Sequence, residues 1–155
     1  MRSKFLYILV ALISTSTVTT TSSAAESNSS DKPPMTAGPN GGRLMKNIDP
    51  YFEFFLMKDR KIKITFLNKN GKIIPPKKQQ IMLVGGNRSS PTKLSFSKKE
   101  NFLISNDSIP KKKNFPLVLL IKANPEADPV IERFILDSSD CRTCDYKEYA
   151  CVCSH

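Results

Sequence analysis

The sequence predicts an all-β protein, an antiparallel two-sheet sandwich of immunoglobulin-like type that ends in a Cys-rich C-terminal tail. Three observations carry this prediction. Apolar residues between positions 39 and 136 recur in short runs separated by turn signals, and several of these runs alternate with a period of two. No stretch has the spacing of an amphipathic helix. The count and spacing of the runs, seven or eight in all, favour two packed sheets, with a small barrel as the alternative.

In the run YFEFFLM, Phe52, Phe54 and Leu56 share one strand face, while Tyr51, Glu53, Phe55 and Met57 share the other. Lys58-Asp59-Arg60 turns the chain. Ile62, Ile64 and Phe66 then point inward and Lys61, Lys63 and Thr65 outward. Asn70-Gly71 is the preferred pair for a tight hairpin, whose two central positions need positive φ. Further strands are expected over residues 80–84, 92–97, 101–105, 115–122 and 130–136. Residues 115–121 are apolar almost without interruption, which suits a central strand covered on both sides. The expected core is Phe54, Leu56, Ile62, Ile64, Phe66, Leu94, Phe96, Leu119 and Ile121, with Met57 and Met82 as fillers. There is no Trp and no Cys pair within the body, so only the general sandwich architecture is implied, not an antibody-type domain.

Ahead of this body the N-terminus reads as an export signal. Basic Arg2 and Lys4 precede an apolar run at residues 5–13, too short to span a bilayer, and Ser23-Ala24-Ala25 has the small residues of a signal-peptidase site. The expected organisation is a signal peptide over 1–25, a disordered leader over 26–38, a β-sandwich over 39–137 and a Cys-rich tail over 138–155. Cleavage after Ala25 removes Arg2 and Lys4 and no acid, which lowers the net charge from +10 to +8. The protein is therefore expected in a periplasm or outside the cell, with no stable membrane anchor after processing.

The lysines fall in clusters at turns, Lys77-Lys78, Lys98-Lys99 and Lys111-Lys112-Lys113, as on a solvated surface. Such charge can attract anionic lipid heads or polysaccharide, while the absence of an aromatic–basic motif argues against nucleic acid. The body also lacks histidine, cysteine, a phosphate-cradling glycine loop and a nucleophile elbow, and its acids show no recognisable pairing, so no enzyme is expected. Gly41-Gly42 and Gly85-Gly86 read as turns or bulges.

The stretch GPNGGRLMKN, which starts at Gly38, resembles the Pro-His-Gly-Gly-Arg-Leu segment near the start of small exported domains associated with heavy-metal efflux, including periplasmic adaptor subunits of such pumps. Asn40 stands where those domains have His, so the segment lacks that residue's metal-binding nitrogen. The layout of the chain, with this segment, a β-rich body and a Cys-rich end, is similar to that of small periplasmic proteins. The resemblance implies heavy-metal efflux components as partners.

All four cysteines and the single histidine lie in CRTCDYKEYACVCSH. Cys141 and Cys144 form a C-x-x-C pair, Cys151 and Cys153 form a C-x-C pair, and His155 ends the chain. Two thiolate pairs joined by a short loop can complete the tetrahedral site that Zn(II) prefers, and a C-x-C pair also suits Cu(I). The set Cys141, Cys144, Cys151, Cys153 and His155 is thus the candidate metal site. In an oxidising compartment the same four cysteines can instead form two disulfides, with links from the first pair to the second favoured because closure within C-x-C is strained. Thiol-exchange catalysis is the least suited, since this C-x-x-C follows a strand and does not open a helix. Tyr146 and Tyr149 are expected to pack on the sandwich. The core residues precede the tail, so the sandwich is expected to survive its removal. Two functions remain open, an exported soft-metal-binding protein serving heavy-metal handling and a disulfide-stabilised interaction domain without metal.

Overall fold

The computed structural model describes residues 37–153. The expected signal peptide, most of the expected leader, and His155 lie outside the described residues.

The chain forms two antiparallel sheets. The first contains β1 (Arg43–Met45), β2 (Tyr51–Leu56), β3 (Ile62–Leu67), β4 (Ile73–Ile74), β7 (Phe96–Lys98) and β8 (Leu103–Ser105). Its order is β1-β2-β3-β8-β7, with β4 also paired to β3. The second contains β5 (Gln80–Asn87), β6 (Ser90–Leu94), β9 (Phe115–Lys122) and β10 (Val130–Leu136), ordered β10-β9-β5-β6. One core joins the two sheets. Phe52, Phe54, Ile62, Ile64 and Phe66 come from the first, and Leu83, Leu94, Leu117, Leu119, Ile121 and Leu136 from the second, each at most 2% exposed. Burying each such side chain contributes about 1.5–3 kcal/mol, so this shared layer is what holds the two sheets face to face.

Register follows from the alternation. Phe52 pairs with Phe66 and Phe54 with Ile64, which places four large apolar side chains on one face of adjacent strands. The turn at residues 58–60 forms as expected, closed by the Arg60 N–H donating to the Met57 carbonyl at 3.0 Å.

Several expectations need correction. Met82 is 54% exposed and fills no core position, because its neighbours Ile81 and Leu83 take the inward face of β5. Met57 is only partly buried and lies outside the core cluster, whereas Leu56 and Phe96, also partly buried, pack against it. β9 is not covered on both sides. Its burial alternates, with Phe115, Leu117, Leu119 and Ile121 buried while Pro116 is exposed and Val118 and Leu120 are half-buried. Thr65 and Glu53, both placed on outer faces by the alternation, are buried. At the hairpin, Gly71 alone of the Asn70-Gly71 pair takes positive φ, 77°, and the Gly71 N–H donates to the Asn68 carbonyl at 2.9 Å. The connection is therefore a longer turn with one left-handed residue, which only glycine adopts without strain. The run at 92–97 is two strands, β6 in the second sheet and β7 in the first, divided at Ser95 where the chain changes sheets. β1 and β4 were not expected.

Candidate metal centre

β10 ends at Leu136, and the chain then folds back on itself. Tyr149 N–H donates to the Asp137 carbonyl at 3.0 Å, Glu148 N–H to the Ser139 carbonyl at 2.9 Å, and Cys141 N–H to the Tyr146 carbonyl at 2.9 Å. Lys147 pairs with Asp140 across the base of this loop. A short 3-10 turn, Glu148–Ala150, then delivers Cys151 and Cys153 opposite Cys141 and Cys144.

The four Sγ atoms lie within 4.8 Å of one another. Cys141 Sγ is 3.2 Å and Cys144 Sγ 3.7 Å from Cys151 Sγ. Thiolates about 2.3 Å from a tetrahedral Zn(II) sit about 3.8 Å apart, the spacing that Cys144 and Cys151 already have. A disulfide needs about 2.05 Å between sulfurs, a length that none of these contacts has, although Cys141 and Cys151 need close by only about 1 Å to reach it. The cluster can therefore hold a metal ion or close into disulfides.

Backbone amides point at three of the sulfurs, although burial and the neighbouring sulfurs still raise the Cys144 and Cys151 thiols and only Cys141 is lowered overall. Cys141 Sγ receives the Thr143 N–H, Cys144 Sγ the Tyr146 N–H, and Cys151 Sγ the Cys153 N–H, the last at 3.3 Å. Each donor lies two residues beyond its cysteine, so the backbone turns around each sulfur and presents an amide dipole to it. The Thr143 hydroxyl, 3.3 Å from Cys141 Sγ, is the largest of the effects that bring the Cys141 thiol down to about 6. The Cys151 thiol, shared with the Cys141 sulfur, is pushed up to about 12. One proton held between two sulfurs is the arrangement a divalent soft cation displaces.

The tail is part of the core, which corrects its expected independence from the sandwich. Tyr149 is 3% and Ala150 1% exposed, and both belong to the shared cluster. The Tyr149 ring meets Phe54 edge-on at 5.9 Å, its hydroxyl accepts the Leu56 N–H at 3.0 Å, and its carbonyl accepts from Arg43 at 3.4 Å. Tyr149 thus packs on the sandwich as expected, and Cys151 directly follows the core residue Ala150. Tyr146 lies beside Gly41.

No family model matches the chain, and no curated protein or solved structure matches it. Among the described residues, no helix is long and apolar enough to cross a membrane.

Sequence reasoning brought the four cysteines together correctly but missed Thr143, the amide donors and the Tyr149 anchor. A Thr two residues after Cys141 was the visible signal for the first. It also missed what the GPNGG segment encloses. The Glu53 carboxylate is buried and accepts the Asn40 N–H and the Gly42 N–H, both at 2.8 Å, and the Asn40 side-chain amide at 2.5 Å. Asn40 Oδ1 in turn accepts from Lys63 at 3.0 Å. Asn40 therefore spends its polar atoms on a buried carboxylate and its cationic neighbour.

Proposed function

We propose that this chain is an exported, non-enzymatic β-sandwich protein whose C-terminal tail binds one soft metal ion through Cys141, Cys144, Cys151 and Cys153, as an accessory to heavy-metal handling. The observation that carries the reading is the coincidence of sulfur spacing with amide donation. Four sulfurs sit within 4.8 Å of one another, and three of them receive a backbone N–H, the kind of donor that supports a metal-bound thiolate. Disulfides have no use for such donors, because a bonded sulfur carries no charge to stabilise.

Zn(II) suits a four-thiolate tetrahedron best, and Cu(I) would be held by two or three of the same sulfurs. The export signal at residues 1–25 and the Pro-x-Gly-Gly-Arg-Leu resemblance support a periplasmic or secreted setting with efflux components as partners. Metal bound before export-linked oxidation would keep the thiols from pairing.

The test is a thiol count on protein isolated without reductant, paired with elemental analysis. The expected result is about one zinc or copper per chain and thiols that react with a thiol reagent only after chelation. Complete oxidation to two disulfides, with no metal taken up after reduction, would overturn the reading in favour of a disulfide-stabilised interaction domain.

A further inference from the structure

Among the described residues, the outer face of the second sheet carries apolar side chains that belong to no core position. Residues paired across strands share a face, as do residues two apart along a strand. Ile131, Leu120 and Met82 therefore form one row across β10, β9 and β5, and Ile135 with Pro116 forms another. Between them lies the row Arg133, Val118, Val84 and Lys93. Among the described residues, the large apolar side chains most open to solvent are Ile73, Met82, Ile131 and Ile135, and three of the four sit here. An open, mainly apolar hollow of about 300 Å³ lies at one end of the face, lined by Met82, Leu120, Lys122 and Pro129 among others.

The charge around this face is mainly positive, with Glu126 and Asp128 in the β9–β10 connection and Asp137 at the other end as its acids. Arg133 and Lys93 occupy its middle row, and Lys122 ends β9 on the same side. Lys77 and Lys78 lead into β5 at the Lys122 end, and Lys111-Lys112-Lys113 lead into β9 at the Ile135 end, beside Asp137. No acid occupies an outward position on these strands. A chain starting at residue 26, of net charge +8, repels a second copy brought against such a face, whereas an anionic surface is attracted to it.

We propose that the outer face of the β10-β9-β5-β6 sheet is a peripheral docking surface for an anionic phospholipid bilayer. Met82, Ile131 and Ile135 enter the headgroup region, while Arg133, Lys93, Lys122 and the flanking lysines meet lipid phosphates. An apolar centre within a cationic rim binds such a surface by area and charge together. A bilayer needs no matching steric relief from a flat strand face, which is why it fits better here than an acidic protein.

The test uses the form starting at residue 26, which retains both sheets and the whole core but not the apolar run at 5–13. Co-sedimentation is measured with vesicles of phosphatidylglycerol and phosphatidylcholine, and with phosphatidylcholine alone. Binding is expected only to the anionic vesicles, lost in 1 M salt, where the Debye length is about 3 Å. Met82→Ser with Ile131→Ser, and separately Lys122→Glu with Arg133→Glu, should each weaken partitioning by about tenfold or more. All four positions are outward-facing, so thermal unfolding of the variants should match the parent and separate lost binding from lost folding. Failure of the parent to sediment with anionic vesicles sinks the proposal. So does equal sedimentation of parent and variants. A concentration-dependent dimer abolished by the serine pair, without vesicle binding, would reassign the face to self-association.

Discussion

Glu53 and Cys141 are both acidic groups whose environment was assembled from elsewhere in the chain. Glu53 sits among aromatic residues on a strand whose alternation marks it as solvent-facing, yet it is buried because a loop 11 to 13 residues earlier turns its amides inward. Nothing local to β2 announces that. Gly38 and Gly42 are the legible trace, since a Cβ at Gly38 would stand 2.4 Å from Glu53 Cδ and one at Gly42 would stand 2.3 Å from the Phe54 carbonyl oxygen. Glu53→Ala should therefore cost about 3–5 kcal/mol in chemical denaturation, since it orphans the buried Gly42 N–H and the part-buried Asn40 N–H and leaves a cavity. Gly38→Ala should cost about 1–3 kcal/mol by overpacking the same carboxylate. For Cys141, the lowered thiol pKa of about 6 means that its thiolate persists through neutral pH, while Cys151 stays protonated until about 12. In metal-free, reduced protein, iodoacetamide should label Cys141 before Cys151 at pH 7, with Cys141 labelling falling away below about pH 6. Peptide mass spectrometry reads this directly. Thr143→Ala removes the largest cause of the shift and should weaken zinc affinity by about tenfold, the scale of losing a ligand-orienting hydrogen bond.

At the scale of elements, what the sequence states clearly is periodicity and what it leaves unsaid is partnership. β2, β3, β9 and β10 were legible because their apolar residues alternate or run together. The break at Ser95 was not, since a strand that changes sheets keeps its composition and alters only its neighbours. β1 was hidden inside a segment that reads as turn, because its three residues gain their strand character from pairing with Phe52, Glu53 and Phe54. The tail is the clearest case. Its cysteines advertised a cluster, but Tyr149 became a core residue only because β2 offers the Leu56 N–H and the Phe54 ring to it. Tyr149→Phe keeps the ring and removes the acceptor of a part-buried N–H, at an expected cost of about 1–3 kcal/mol. Burial raises the Tyr149 pKa above its ordinary 10.0. The folded chain thus holds the phenol proton that the unfolded chain releases, so this contribution is complete below pH 10 and is lost as pH rises through the folded value. Stability measured between pH 9 and 11 should fall less steeply in Tyr149→Phe than in the parent.

For the whole molecule, the sandwich and the segment that carries the cysteine cluster share one core. Both sheets meet in a core that includes Tyr149 and Ala150, and the residue following Ala150 is the buried Cys151. An ion that ties Cys151 and Cys153 to Cys141 and Cys144 holds the 3-10 turn against β10, and so keeps Tyr149 in place. An ion bound only by the folded state adds stability that grows with the logarithm of its concentration, about 4 kcal/mol at a thousandfold excess over Kd. Zinc should therefore raise the melting temperature of the reduced protein by many degrees, and a chelator should reverse the rise. Cys144→Ser should abolish most of the zinc response while leaving the metal-free melting temperature nearly unchanged, because Cys144 is only half-buried and lies outside the core cluster. Removing residues 141–155 is a different experiment from removing the ligand, since it also takes Tyr149 and Ala150 out of the core. That truncation should unfold at room temperature or lose cooperative melting altogether. A truncated chain that melted like the metal-free parent would show that the tail merely rests on the sandwich. A parent indifferent to zinc would break the link between site and fold from the other side.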